Sequence, residues 1–331
     1  MTEKILDVKN LKMYYYTYEG VVKAVDDISF NINKGESLAI VGESGCGKSS
    51  IALSIIRLVP PAGKIVSGNI IFEGKDLLSL SEEEMRRMRG RKIALIFQDP
   101  LTALNPLLSA GFQVAEAIQL HKGLSGLRLK SEAITSLKQV KIPDAEKRYY
   151  SFPFELSGGM KQRVMIAMAT SCNPSLLIAD EPTSALDVTI QAEIIELIKE
   201  LILQLNMSLL FITHDFGLVA ELADNIAVMY AGKIVEQGKL ELVVKEALHP
   251  YTKGLIGCLP KTRKGKLTSI TGTVPSLINP PSGCRFHPRC PFMSDKCRFE
   301  EPRPVQVKSG QIVLCHLYAE GETESEGFSG G

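Results

Sequence analysis

Three short segments carry residue types suited to phosphate chemistry. In chain order they are Gly42-Glu43-Ser44-Gly45-Cys46-Gly47-Lys48-Ser49, Leu156-Ser157-Gly158-Gly159-Met160 and Ser175-Leu176-Leu177-Ile178-Ala179-Asp180-Glu181. The first fits G-x-x-x-x-G-K-[ST], a pattern whose glycines let backbone N–H groups converge on phosphate oxygens at a helix N-terminus. In that pattern the lysine reaches the β- and γ-phosphates and the hydroxyl binds Mg²⁺, roles that fall on Lys48 and Ser49. Asp180 closes an apolar run, where a carboxylate is expensive unless a metal or polar network uses it. Its expected use is the Mg²⁺ shell, reached through water. Together the segments describe an ATP hydrolysis site.

Such a loop needs a strand before it and a helix after it. Ser37 to Val41 reads as a short buried strand, and Ile51, Ile55 and Val59 recur at the spacing of a helix that buries one face. Residues 5 to 41 look strand-rich, with Val21 to Val25 and Ile28 to Ile32 ending at the turn Asn33-Lys34-Gly35. Gly68 to Gly74 reads as another strand, and Ile93 to Phe97 as a buried one ending at Gln98. Residues 101 to about 165 carry no continuous apolar strand and are expected to form a helical insertion. Apolar strands return at Leu176 to Ala179 and Leu209 to Thr213, separated by an amphipathic helix from Ile190 to Leu205. The alternation implies an α/β fold with a mostly parallel sheet covered on both faces.

The 331 residues allow one large core plus an appendage, and a net charge of +1 gives no electrostatic reason to expect a nucleic-acid partner. The basic run from Arg86 to Lys92 follows Glu82-Glu83-Glu84, so it reads as a solvated helix with opposite charges four apart. The best membrane-spanning candidate, Ile194 to Ile212, is interrupted by Glu196, Lys199 and Glu200, and Met1-Thr2-Glu3-Lys4 lacks an apolar secretory core. A cytosolic location is expected, with any membrane link made through a partner. In a reducing compartment the seven cysteines argue for metal ligation or burial over a disulfide scaffold.

The order of these motifs over residues 5 to 245 resembles the nucleotide-binding subunit of ABC transporters, a phosphate-loop ATPase with an antiparallel β part and a helical insertion. The resemblance implies that residues Gly42 to Ser50 hold ATP, that Glu181 polarises the attacking water, and that His214 contacts the γ-phosphate. Gln98 then joins Ser49 and Asp180 in the Mg²⁺ and water network and moves with the membrane subunits. Leu156-Ser157-Gly158-Gly159-Met160 matches the ABC signature, so Ser157, Gly158 and Gly159 are expected to serve ATP bound by a partner subunit, while Ser184-Ala185-Leu186-Asp187 crosses the dimer interface. A pattern like L-x-V-x-aromatic places Tyr15 under the adenine, with Tyr14, Tyr16 and Tyr18 crowding it.

From His249 the chain turns proline-rich. His249-Pro250-Tyr251-Thr252, Gly272 to Leu277 and Pro280 to Pro291 resemble the extension of dipeptide, oligopeptide and nickel importer ATPases. The domains are therefore expected at 1–248 and 249–331, with an acidic Gly/Ser-rich tail, 320–331, expected to be disordered. Within the extension, Cys284, Cys290, Cys297 and Cys315 suggest a four-cysteine metal site. No tight C-x₂₋₄-C pair favours zinc, and the Cys290-Pro291 step fits a [4Fe–4S] cluster better, although the spacing is not that of bacterial ferredoxins. Zinc, with His287 or His316, is the alternative, and Cys46, Cys172 and Cys258 read as small packed residues.

The expected function is an ATPase subunit driving uptake of short peptides. Its implied partners are a homologous ATPase subunit bound head to tail, two membrane-spanning permease subunits and, through them, an extracytoplasmic peptide-binding protein. The expected place is the cytoplasmic side of the cell membrane. Nickel chelates are an alternative cargo. A soluble ABC ATPase of ribosomes or DNA ends lacks support, having neither a second ATPase domain nor a long coiled coil here. An iron–sulfur assembly ATPase is opposed by the full signature and the proline-rich extension.

Overall fold

A computed structural model of the chain describes residues 3–184, 186–258, 270–307 and 310–319. Ala185, Pro260 and the tail 320–331 expected to be disordered lie outside the described residues. The strands are β1 (Lys4–Thr17), β2 (Gly20–Asn33), β3 (Ser37–Val41), β4 (Gly63–Phe72), β5 (Lys75–Asp76), β6 (Ile93–Ile96), β7 (Leu176–Asp180), β8 (Ser208–Thr213), β9 (Asn225–Tyr230), β10 (Lys233–Lys239), β11 (Val305–Gln306) and β12 (Ile312–Val313). The helices are α1 (Lys48–Ile55), α2 (Glu82–Met88), α3 (Pro100–Ala103), α4 (Ala110–Lys122), α5 (Gly126–Gln139), α6 (Ala145–Arg148), α7 (Gly158–Thr170), α8 (Val188–Leu205), α9 (Phe216–Leu222), α10 (Leu240–Lys245), α11 (Pro250–Gly257) and α12 (Asp295–Phe299).

Two sheets carry the fold. One is antiparallel, in the order β2-β1-β4-β5, and the other runs β11-β12-β10-β9-β3-β8-β7-β6 with β9, β3, β8, β7 and β6 mutually parallel. The parallel strands are continuous apolar runs because both faces are covered. Ala39, Val41, Leu177, Ala179 and Phe211 face the core shared with the helical segment, whereas Leu38, Ile40, Ile178 and Ile212 face the core shared with α1 and the antiparallel sheet. Residues 100 to 170 form α3 to α7 with no strand, as the absence of apolar runs required.

Two local features differ from the pattern read above. Helix α1 ends at Ile55, and Arg57 takes a left-handed φ of 53°, so Val59 lies outside the helix although it packs on the same core. Pro60 and Pro61 keep the helix from resuming at Val59, since a residue before proline is driven out of the helical region. Helix α2 is the solvated helix expected, but it ends at Met88, so Arg89, Arg91 and Lys92 of the basic run lie beyond it. Ser81 and Glu84 form a reciprocal capping box, and Arg87 pairs with Glu83 one turn away.

The proline-rich segment docks on the larger sheet. Strand β12 pairs with β10, with Glu236 opposite Val313, and β11 pairs with β12. Beside this edge Glu236 accepts from the Leu248 and His249 N–H groups at 2.8 and 2.9 Å. His249 caps α11, its Nδ1 accepting from the Tyr251 N–H at 3.1 Å, and burial pushes its pKa down to about 3. The unfolded chain takes up a proton near 6.5 that native His249 refuses, so stability is expected to fall as pH drops from about 6.5 towards 3, by at most ~1.4 kcal/mol per pH unit. Burial raises the Glu236 carboxyl, which works in the opposite direction. A variant therefore has to isolate the histidine. His249→Asn keeps a capping acceptor without the titration. Its melting temperature should fall less steeply with acid than that of the wild type, and parallel curves would remove His249 from the account.

Candidate active site

The carboxyl ends of β3, β6, β7 and β8 lie side by side, because Val41 is in register with Thr213, Asp180 with Ile212 and Ile96 with Ala179. Each strand delivers one element of the site at this edge, where open α/β sheets bind ligands. After β3 the chain turns through Gly42 to Gly47 into α1. A Cβ at Gly42 would lie 2.2 Å from the Met229 carbonyl oxygen, and one at Gly47, which has φ 107°, would lie 1.9 Å from that of Ala24. These two glycines are sterically obligatory. Lys48 is buried, and its Nζ donates to the Gly42 and Glu43 carbonyls at 2.9 and 3.1 Å, so the ammonium is held inside its own loop.

Three side chains converge on Glu181. Gln98 Nε2 donates to its Oε2 at 3.0 Å, His214 Nδ1 lies 3.2 Å from its Oε1, and Lys48 Nζ stands 3.8 Å from the same oxygen. The backbone of Glu181 is left-handed, with φ 45°, and its N–H donates to the Ile212 carbonyl at 2.8 Å. A non-glycine residue in that region is strained and persists only where its surroundings hold it. Next to it, burial pushes the Asp180 carboxyl up while a hydrogen bond from the Ser49 hydroxyl opposes the rise. Asp180 Oδ1 is buried with no hydrogen-bond partner among the described residues. An orphaned oxygen on a carboxylate that also accepts from the Ser49 hydroxyl is a hard oxygen set of the kind Mg²⁺ takes. Gly42, Glu43, Ser44, Gln98, Glu181 and His214 line an open cleft of about 730 Å³.

The family model described as ABC transporter matches residues 25–184, and that described as oligopeptide/dipeptide transporter, C-terminal region, matches 235–297. The chain is 51% identical to the dipeptide transport ATP-binding protein of Bacillus subtilis (strain 168), with 95% of each chain covered. The chain belongs to the ABC transporter family. It is also 47% identical to the dipeptide transport ATP-binding protein of Escherichia coli (strain K12), covering 94% of this chain and 96% of that one. Among solved structures it is similar to the ATP-binding cassette MJ0796 in a dimeric post-hydrolysis state bound to ADP and Pi. There the TM-score is 0.64 at 30% identity, covering 71% of this chain and 98% of that one.

Not every residue expected in an ABC site meets in this cleft. Ser157, Gly158 and Gly159 are absent from its lining, as are Tyr15, Lys48, Ser49 and Asp180. Ser157 caps α7, accepting from the Met160 N–H at 3.3 Å, and Ser157 and Gly158 are exposed. Of the four tyrosines, Tyr15 packs on the α1 core and its hydroxyl is 3.3 Å from Ser50 Oγ. Tyr14 instead donates to Asp26 at 2.7 Å, and Tyr16 and Tyr18 are exposed. Of the three cysteines read as packed, Cys46 is fully buried and Cys172 half-buried, whereas Cys258 lies on the cleft lining beside Leu255.

No group of three or more His, Cys, Asp or Glu stands at metal-binding spacing among the described residues, which does not support the expected cluster or its zinc alternative. The four C-terminal cysteines are nevertheless near one another. Burial pushes the Cys284 and Cys315 thiols up to about 11, and neighbouring cysteine charges add to both. The Cys284 N–H donates to the Cys297 carbonyl at 2.9 Å, and none of the seven cysteines forms a disulfide. His287 and His316 each hold one ring nitrogen 2.9 Å from a carbonyl, of Cys284 and Glu300 respectively.

Sequence reading missed what the extension does at the phosphate loop. Arg289 forms two hydrogen bonds with the Glu43 carboxylate, at 2.9 and 3.1 Å, and the Glu43 N–H donates to the Tyr251 hydroxyl at 3.0 Å. No spacing signal links positions this far apart in the chain.

Proposed function

We propose that this chain is the ATP-hydrolysing subunit that energises uptake of dipeptides and oligopeptides through separate permease subunits. The observation that carries the reading is the convergence of Gln98, Lys48 and His214 on Glu181 at the mouth of a glycine-built phosphate loop. The relatives named for peptide transport support the cargo class. In this reading the loop N–H groups from Gly42 to Ser50 and Lys48 hold the triphosphate, with Tyr15 beneath the adenine. Ser49, Gln98 and Asp180 hold Mg²⁺, which neutralises charge on the phosphates. Glu181 accepts the proton of the attacking water, and His214 contacts the γ-phosphate. Ser157 and Gly158, which are exposed, and Gly159, which is partly buried, serve ATP on a homologous subunit bound head to tail.

The subunit works at the cytoplasmic face of the membrane, docked on the permease subunits. An extracytoplasmic peptide-binding protein reaches it only through the permease. The test is reconstitution with the permease subunits in proteoliposomes. ATP-dependent accumulation of a labelled dipeptide is expected, and its absence alongside robust nickel-chelate uptake would overturn the cargo.

Residues 249 to 331 form the second unit of the proposal, with Cys284, Cys290, Cys297 and Cys315 as ligands of a [4Fe–4S] cluster. Support comes from four cysteines gathered in a segment of few apolar runs, to which a metal can supply folding free energy. Protein purified without oxygen is expected to be brown, with near-equal iron and acid-labile sulfide, and to lose colour when any one of the four becomes serine. Cys46, Cys172 and Cys258 should tolerate serine without loss of metal. Stoichiometric zinc without sulfide, or no metal, would overturn this assignment.

A further inference from the structure

We propose that Arg289 is a positioning residue for ATP, acting through Glu43 to hold the phosphate loop in its binding shape. The inference rests on the ATPase reading above and adds a residue outside the nucleotide-binding segment. Glu43 is the second residue of the loop, and it is gripped twice from the C-terminal segment. Its carboxylate takes the Arg289 fork at 2.9 and 3.1 Å, and its N–H is bound to the Tyr251 hydroxyl. From the other side, its carbonyl accepts from Lys48 at 3.1 Å, so a movement of Glu43 is a movement of the lysine that must reach the phosphates.

Arg289 is itself well fixed. Only 6% of its side chain is exposed, Nε donates to the Thr271 carbonyl at 2.9 Å, and the guanidinium lies over the Tyr230 ring at 5.7 Å. A planar guanidinium with every donor direction defined transmits geometry to a carboxylate in a way a lysine ammonium does not. Without the fork, Glu43 retains a charge on a partly buried loop with no cation fixed to it. The loop then samples other shapes, and apparent affinity falls by the fraction of time the binding shape is occupied.

The experiment measures ATP binding to the full-length subunit with a fluorescent ATP analogue, and KM and kcat in the assembled transporter. Arg289→Gln is expected to weaken binding about tenfold, equivalent to ~1.4 kcal/mol. KM should rise by a similar factor, and kcat should stay within about threefold, the signature of an interaction made equally in ground and transition states. Arg289→Lys should fall between wild type and Arg289→Gln. Glu43→Gln should weaken binding similarly, and the double variant no more than either single one, because both remove the same contact. Should Arg289→Gln not fold, Arg289→Lys and Glu43→Gln carry the test alone. Wild-type affinity in the variants despite a lowered melting temperature would make Arg289 merely structural and overturn the proposal, as would losses that add in the double variant. Failure of the wild type to bind ATP would instead defeat the ATPase reading.

Discussion

Replacing Glu181 by glutamine is expected to leave ATP binding intact and to cut ATP turnover of the assembled transporter by at least ~10²-fold. The amide keeps the size of the side chain and can still accept from Gln98 Nε2, now 3.0 Å from the carboxylate. It loses the negative charge that Lys48 and His214 face and the capacity to take a proton from water. The strained φ of 45° at Glu181 and its N–H bond to the Ile212 carbonyl fix the backbone independently of the side chain, so glutamine should be aimed at the same point. Steady-state hydrolysis in proteoliposomes, beside equilibrium binding of an ATP analogue, reads the two effects separately. Near-normal turnover would remove Glu181 from its proposed role.

The strand-loop-helix unit at Ser37 to Ile55 was legible in the sequence because its signals are local. An apolar run, a glycine pattern and a helical period follow one another without long-range help. The same locality explains the Asp180-Glu181 pair and the helical stretch from 100 to 170. What stayed hidden depends on pairings between distant positions. Strands β11 and β12 have two residues each, too few for an alternation to register, and exist only because β10 offers an edge. The Arg289 clamp on Glu43 has no period or motif at all. The motif-like spacing singled out Tyr15 among crowding tyrosines, but that its hydroxyl turns towards Ser50 while that of Tyr14 turns towards Asp26 depends on pairing in the antiparallel sheet. The cysteines show the opposite case. Their types and number were plain, but metal-binding spacing is a property of closely placed sulfurs that sequence separation does not set.

Gly158→Asp is expected to abolish transport and lower turnover of the assembled transporter by about 100-fold or more, while the isolated subunit binds ATP within about twofold of wild type. The contrast follows from where the glycine sits. Among the described residues a Cβ there would meet only Leu186 Cδ2, at 3.5 Å, an ordinary contact, whereas at Gly159 it would press to 2.9 Å on Ile190 and at Gly42 and Gly47 into backbone oxygens. Gly158 opens α7 immediately after the Ser157 cap, and a carboxylate in a first helical turn is electrostatically favourable. The chain itself therefore accepts aspartate. A partner's nucleotide does not. If the signature closes over the γ-phosphate of a head-to-tail neighbour, the new side chain brings a like charge against it, and such juxtapositions cost several kcal/mol. ATP-driven association, followed by size-exclusion chromatography of an otherwise identical Glu181→Gln background, should vanish along with turnover. A comparable loss of ATP binding by the isolated subunit would mean that the signature acts within its own chain, and the shared site would have to be given up.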